Sequence, residues 1–288
     1  MKKRIRRAIG LFLAAALPAA LFCACAPREK QGQMEFVLDK NTDTYVLVYY
    51  TDTSTAVELV IPDTFKGKSV TKIGKLAINS ADTLERIVVG ANVTAIEPWG
   101  ITKNLHLKEI TVHPDNPGFC DINGVLFTKD QAKLLVYPNA NQAVYAKDGR
   151  LENTVEYTVP DGTEIIGHCS FYHCYAVEKL TLPGSVTEIE ERAFHKMTGL
   201  AEIDVGEGLA KIGEDAFLGC EALKEIDLPA ALREIGDNAF YNARAIEVIR
   251  IAAPEASVTQ GEKWRPSSAG SKLGHPWRIE WADKTEIY

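Results

Sequence analysis

The chain has 288 residues, 46% apolar and 25% charged, proportions of a folded globular protein rather than a disordered one. Its formal net charge is −7, and the first 24 residues contribute only bases, leaving 27 basic residues against 39 acidic ones beyond them. Such a balance disfavours nucleic acid and anionic lipid as main partners, because both are held by clustered Lys and Arg.

In chain order, MKKRIRR supplies the basic start of an export signal, and Ala8 to Phe22 an apolar stretch broken by Gly10 and Pro18. That stretch is shorter than the roughly 20 apolar residues of a membrane-spanning helix. The following LFCAC resembles a bacterial lipobox. The resemblance implies that Cys25, preceded by Ala24, is diacylated and becomes the mature N-terminus, anchoring an extracytoplasmic protein to the cell membrane or surface. An ordinary secretory signal, cut nearby, would instead release a soluble protein. Residues 25–34 are polar and read as a tether. Residues 35–55 alternate apolar and polar positions around Asp43, as expected of an N-terminal capping hairpin.

The next segment is an internal repeat. VEKLTLPGSVTEIEERAFHKMTG, LAEIDVGEGLAKIGEDAFLGCEA and LKEIDLPAALREIGDNAFYNARA follow one another from Val177 with a 23-residue period, the mark of a solenoid. Units at Leu84 and Thr154 keep that length, and longer or shorter ones are expected at 56–83, 107–131 and 132–153. Eight units plus a closing strand thus fill residues 56–251. In LKEIDLP, Leu223, Ile226 and Leu228 are apolar and Glu225 and Asp227 polar, the alternation of a half-buried strand that Pro229 ends. Ile235–Gly236 repeats Ile212–Gly213 as a second extended segment and a bend. Ala239–Phe240 repeats Ala216–Phe217 and Ala193–Phe194 as the filling of the coil from its convex side. Equivalent strands of successive coils are expected to stack at about 4.8 Å in parallel sheets.

The unit LxxIxLPxxLxxIGxxAFxxC resembles the BspA-like class of leucine-rich repeats found on bacterial cell surfaces. The entry segment FVLDKNTDTYVLVYY and the insertion NPGFCDINGVLFTKDQAKLLVYP, with turns at Asn123-Gly124 and Lys129-Asp130, resemble that family too. The fold class expected is a leucine-rich-repeat solenoid, a right-handed superhelix rich in short parallel strands, with few or short helices and a cap at each end. The resemblance also implies a non-catalytic binding module or adhesin.

From Ala252 to the C-terminus the repeat is expected to give way to a cap or tail, with Ser267–Lys272 as a loop. Trp264, Trp277 and Trp281 there read either as a platform for a carbohydrate or protein ligand, or as a cap closing the last coil. The repeat register directs two columns of side chains outward. One runs through Arg86, Glu109, Leu134, Glu156, Lys179, Glu202, Glu225 and Val248, the other through Val88, Thr111, Val136, Thr158, Thr181, Asp204, Asp227 and Arg250. Arg86, Glu109, Lys179, Glu202, Asp204, Glu225, Asp227 and Arg250 form the candidate binding face, with an acidic patch at its centre. That patch could hold a basic peptide or calcium, or be ordinary solvated surface.

His168, Cys169, His173 and Cys174 have the ligand types of a zinc site. The register, however, puts Cys174 with Cys220 beneath the coil and His168 and Cys169 at exposed positions, so neither metal nor cofactor is expected. Glu188, Glu190 and Glu191 are the nearest approach to paired catalytic carboxylates and read as solvated charge. With no nucleophile elbow or phosphate loop, catalysis is not expected. The function expected is a monomeric surface module recognising a protein or glycan, with an envelope-assembly component as the alternative.

Overall fold

The computed structural model describes residues 27–52, 56–146, 150–266 and 277–288. The export segment with Cys25 and the segment Ser267–Lys272 lie outside these residues. The chain winds into a solenoid of about nine turns, and its one helical element among the described residues is the 3-10 turn Glu255–Ser257.

Each coil contributes a strand to one parallel column and a shorter strand to a second. In the first column Glu58–Val60, Arg86–Val89 and Glu109–Val112 pair in register. So do Val177–Thr181 and Glu202–Asp204, with Val155–Thr158 joining Val177–Thr181 across a register shift after Val155, and then Glu225–Leu228, Val248–Ile251 and Arg278–Trp281. The second column joins Lys133–Val136, Ile165–Ile166, Glu188–Ile189, Lys211–Ile212, Glu234–Ile235 and Thr259–Gln260. At the start, Met34–Asp39 and Thr44–Tyr50 form the expected hairpin, and its second strand pairs with Lys68–Ile73. The expected tether is partly ordered instead, because Glu29–Gln31 adds a third strand to that hairpin.

The convex side is a ladder of rings. Tyr137, Phe171, Phe194, Phe217 and Phe240 stand at successive centroid separations of 4.8, 5.5, 5.0 and 4.9 Å, and Trp264 follows at 6.2 Å. All are fully buried, as are Ala193, Ala216 and Ala239 beside them. The Ala-Phe pair is bracketed by residues in the left-handed region: Arg192, Asp215 and Asn238 before it (φ 57°, 55° and 53°), Lys196, Gly219 and Asn242 after it (φ 57°, 75° and 60°). These tighten the turn so that the ring points inward, at a cost of roughly 1–2 kcal/mol for each non-glycine residue. Gly213 and Gly236 serve a different need, since a Cβ there would lie 2.6 Å from the amide nitrogen of Glu191 and 2.5 Å from that of Glu214. Backbone stacks on backbone along this line.

Two departures from the 23-residue register reshape the rod. The units expected at 107–131 and 132–153 form one long coil. Asn123 and Gly124 (φ 51° and 80°) make a two-residue turn, so Val125–Thr128 pairs antiparallel with Phe119–Ile122 and with Lys133–Val136. An antiparallel strand cannot extend a parallel column, and Lys133–Val136 joins the second column instead. Leu134, expected in the outward column, is therefore buried, and Val136 leaves that column with it. The repeat also continues past Ala252, since Thr259–Gln260 completes a coil and Arg278–Trp281 starts another. Lys263, with φ 50°, takes the place of Asn238, and Trp264 falls at the alanine position with its indole against Phe240. The hairpin of Arg278–Trp281 with Thr285–Ile287 closes the end.

The long coil divides the interior. One hydrophobic core holds Phe36, Ile87, Ile110 and Leu126, with Leu135 and Val136 packed against it, and the other holds Val125, Phe127, Leu134 and the ring ladder from Tyr137 to Trp264. The alternating side chains of a single strand, Val125–Thr128, thus face two cores.

Candidate functional site

The outward columns of the first sheet assemble as the register requires, apart from the two positions lost to the long coil and Val248, which is buried. Opposite charges alternate along stretches of the first column, whereas the second is Val and Thr as far as Thr181 and charged only from Asp204 onward. Arg86 lies between Glu58 and Glu109, at 3.5 Å from the former and in direct contact with the latter. Lys179 pairs with Glu202, whose carboxylate raises its pKa through a hydrogen bond. Arg250 holds Asp227 and Glu225, each at 3.0 Å, and Glu280 at 3.4 Å; its pKa is raised by its bonds to Asp227 and then Glu225. Glu58 and Glu280 extend the candidate face, and the register of the flanking strands could have located both.

The alternation fails at one place. The 23-residue period sets Glu202 opposite Glu225 and Asp204 opposite Asp227. Like charges facing each other across a strand pair are destabilising. There the column opens: Glu202–Asp204 pairs only with Val177–Thr181, and among the described residues no strand ladder joins it to Glu225–Leu228. A recess of about 700 Å³ results, lined by Glu202, Asp204, Gly206, Glu207, Glu225 and Asp227 among others. All five of these carboxylate residues are exposed. Lys224 is the one base in the lining, and Lys179 and Arg250 flank the recess on either side; five carboxylates against Lys224 leave its lining acidic.

The other candidates lie apart from this recess. Trp264, Trp277 and Trp281 are 1%, 8% and 5% exposed and close the end of the core, which removes the reading of them as an open platform. Cys169, expected to face outward, is buried, because the left-handed turn at that residue (φ 55°) tucks its side chain beneath the chain. Burial pushes its thiol and that of Cys174 up, and the Cys220 thiol up to about 12. These sulfurs are inert packing groups, with Cys174 Sγ 3.7 Å from the carbonyl oxygen of Tyr137 and Cys220 Sγ 3.2 Å from that of Phe194. Among the described residues no group of three or more His, Cys, Asp or Glu is placed to hold a metal ion. Glu188, Glu190 and Glu191 each pair with a base: Lys211, Lys133 and Arg192.

Residues 144–261 match the family described as BspA type leucine rich repeat region, in six copies. Among solved structures the chain is similar to a leucine rich cell surface protein of Faecalibacterium prausnitzii, with 17% identity and a TM-score of 0.48 over 85% of this chain and 96% of that one. It is also similar to the pneumococcal vaccine antigen PcpA, with 15% identity and a TM-score of 0.46 over 86% and 90%. A leucine-rich repeat protein of Eubacterium ventriosum follows, with 16% identity and a TM-score of 0.39 over 81% and 93%. A search of curated proteins finds no match.

Proposed function

The chain is a leucine-rich-repeat solenoid whose residues 144–261 belong to the BspA type, and from that premise we propose that it is a non-catalytic module binding a basic segment of another protein at the split in its first sheet. One observation carries this reading. At the split Glu202 and Asp204 face Glu225 and Asp227 across adjacent coils; Lys179 and Arg250 answer Glu202, Glu225 and Asp227 from the outer sides only, and Asp204 has no ion pair within 4 Å among the described residues. A Lys or Arg side chain supplied by a partner restores the alternation, and its charge accelerates encounter with the acidic surface. We further propose that the protein works outside the cytoplasm, held to the membrane by a lipid on Cys25.

The test is capture of Lys/Arg-containing peptides by the purified mature chain. The double variant Glu225→Lys with Asp227→Lys should lose most of the binding at low salt, and rising salt should weaken the wild type in parallel. Equal binding by wild type and variant sinks the proposal, and a requirement for calcium would assign the carboxylates to a cation instead. For the anchor, Cys25→Ala should end incorporation of labelled fatty acid and release the protein from membranes. Continued labelling would refute lipidation at that residue.

A further inference from the structure

On the opposite, convex side the long coil leaves a gap. In a regular coil the second strand reaches its ring residue five positions on, as from Ile166 to Phe171, but Leu134 reaches Tyr137 in three. The bulging turn that other coils carry is thus cut short in this one. No strand pairing among the described residues joins Ala95–Ile96 of the preceding coil to Lys133–Val136. The fourth tryptophan, Trp99, leans across the opening. Its ring lies 5.3 Å from His168 and 5.0 Å from Tyr172, and the Arg192 guanidinium sits 5.7 Å over it. Beneath is a pocket of about 220 Å³, smaller than the ~300–1,000 Å³ that houses drug-sized ligands and suited to one ring.

We infer that this pocket binds a single neutral pyranose unit of a glycan. Three features select that chemistry. Trp99 and the aliphatic floor of Ile96, Leu135 and Val136 offer an apolar surface to the C–H face of a sugar ring. The polar wall is an ion pair, Lys133 Nζ to Glu190 Oε1 at 2.5 Å, and the other lining carboxylate, Glu97, is answered by Lys72 at 3.6 Å, so each charge at the pocket has its counter-ion and the wall presents a donor beside an acceptor. Finally, the buried Nε2 of His168, a pocket-lining residue, has no hydrogen-bond partner, and a turn of the imidazole toward the pocket would offer it to a hydroxyl as donor or acceptor. The site is independent of the split in the first sheet, which faces a different surface.

The experiment uses the mature chain with glucose, galactose, mannose and N-acetylglucosamine, read by saturation-transfer NMR and by tryptophan fluorescence. At least one sugar should bind in the millimolar range. Trp99→Ala, and separately Val136→Phe, which fills the pocket from its floor, should each raise the dissociation constant about tenfold or more. Melting curves identify the variants that fold, and Glu225→Lys, far from the pocket, should bind the sugar as wild type does. Absence of any signal for all four sugars at tens of millimolar overturns the inference. So does wild-type affinity in either folded pocket variant.

Discussion

The smallest decisive units are the ring and the glycine of each coil. Phe217 lies between Phe194 and Phe240 with no exposure, so Phe217→Ala leaves a cavity that both neighbours border. Truncation should cost about 3–5 kcal/mol, measured by denaturant unfolding. A loss near zero would mean that the ladder does not support the fold. Gly236→Ala should be harmful for the opposite reason, because the added methyl meets backbone rather than a movable side chain. A loss of about 1–3 kcal/mol is expected. Both positions were visible in the sequence as recurring Phe and Gly, but only the ring's role could be read there. Glycine in an Ile-Gly pair suggests a bend, whereas the coordinates assign it a contact between coils.

At the level of the element, the convex turns carry a pH response. His173 and His195 sit on adjacent turns, 6.4 Å apart, stacked with Tyr172, and His173 also bonds to the Tyr175 hydroxyl. Burial lowers both imidazoles to about 4. Lys196 and Lys103 act in the same sense on His173; around His195, Lys196 and Arg192 do so while Asp215 opposes them. In the unfolded chain these residues take up protons near their ordinary pKa of about 6.5, and in the fold they do so only near 4. Between those limits the unfolded state binds more protons, so stability should fall as pH drops from about 6.5 to 4. His195→Gln should flatten that slope in melting curves taken across the window; an unchanged slope would place its origin elsewhere.

The same scale shows why some of the site was hidden. The acidic patch was legible, since a 23-residue period sets Glu202 beside Glu225 without further information. That the ladder opens there was not, because charge repulsion has to be weighed against the hydrogen bonds of the strands. Trp99 shares a register position with Cys169 and Arg192, a clue that exists in the sequence. The pocket under it depends on the shortened turn after Leu134, and that shortening was concealed because 107–131 and 132–153 each pass for a unit of near-normal length. Trp264 was missed as a repeat residue because it stands at the alanine position rather than the phenylalanine one.

Across the whole molecule the period fixes a rod, since each coil buries its face only against its neighbours. The partition at Val125–Thr128 then makes that rod two blocks in series, one ending at Leu126 and the other beginning with Val125 and Phe127. Chemical denaturation followed by amide hydrogen exchange, read at Ile87 for the first block and at Ile226 for the second, should give two transitions, and superimposed ones would argue for one cooperative unit.

That partition also matters under mechanical load. On the proposed reading, with a lipid on Cys25 and a partner at the split, tension would run through the first block to reach the second. Peeling strands from a parallel stack, one coil at a time, would let a block lengthen gradually under such a load. In an optical trap the chain should extend in two separable steps, one for each block, and a single step would argue against the partition.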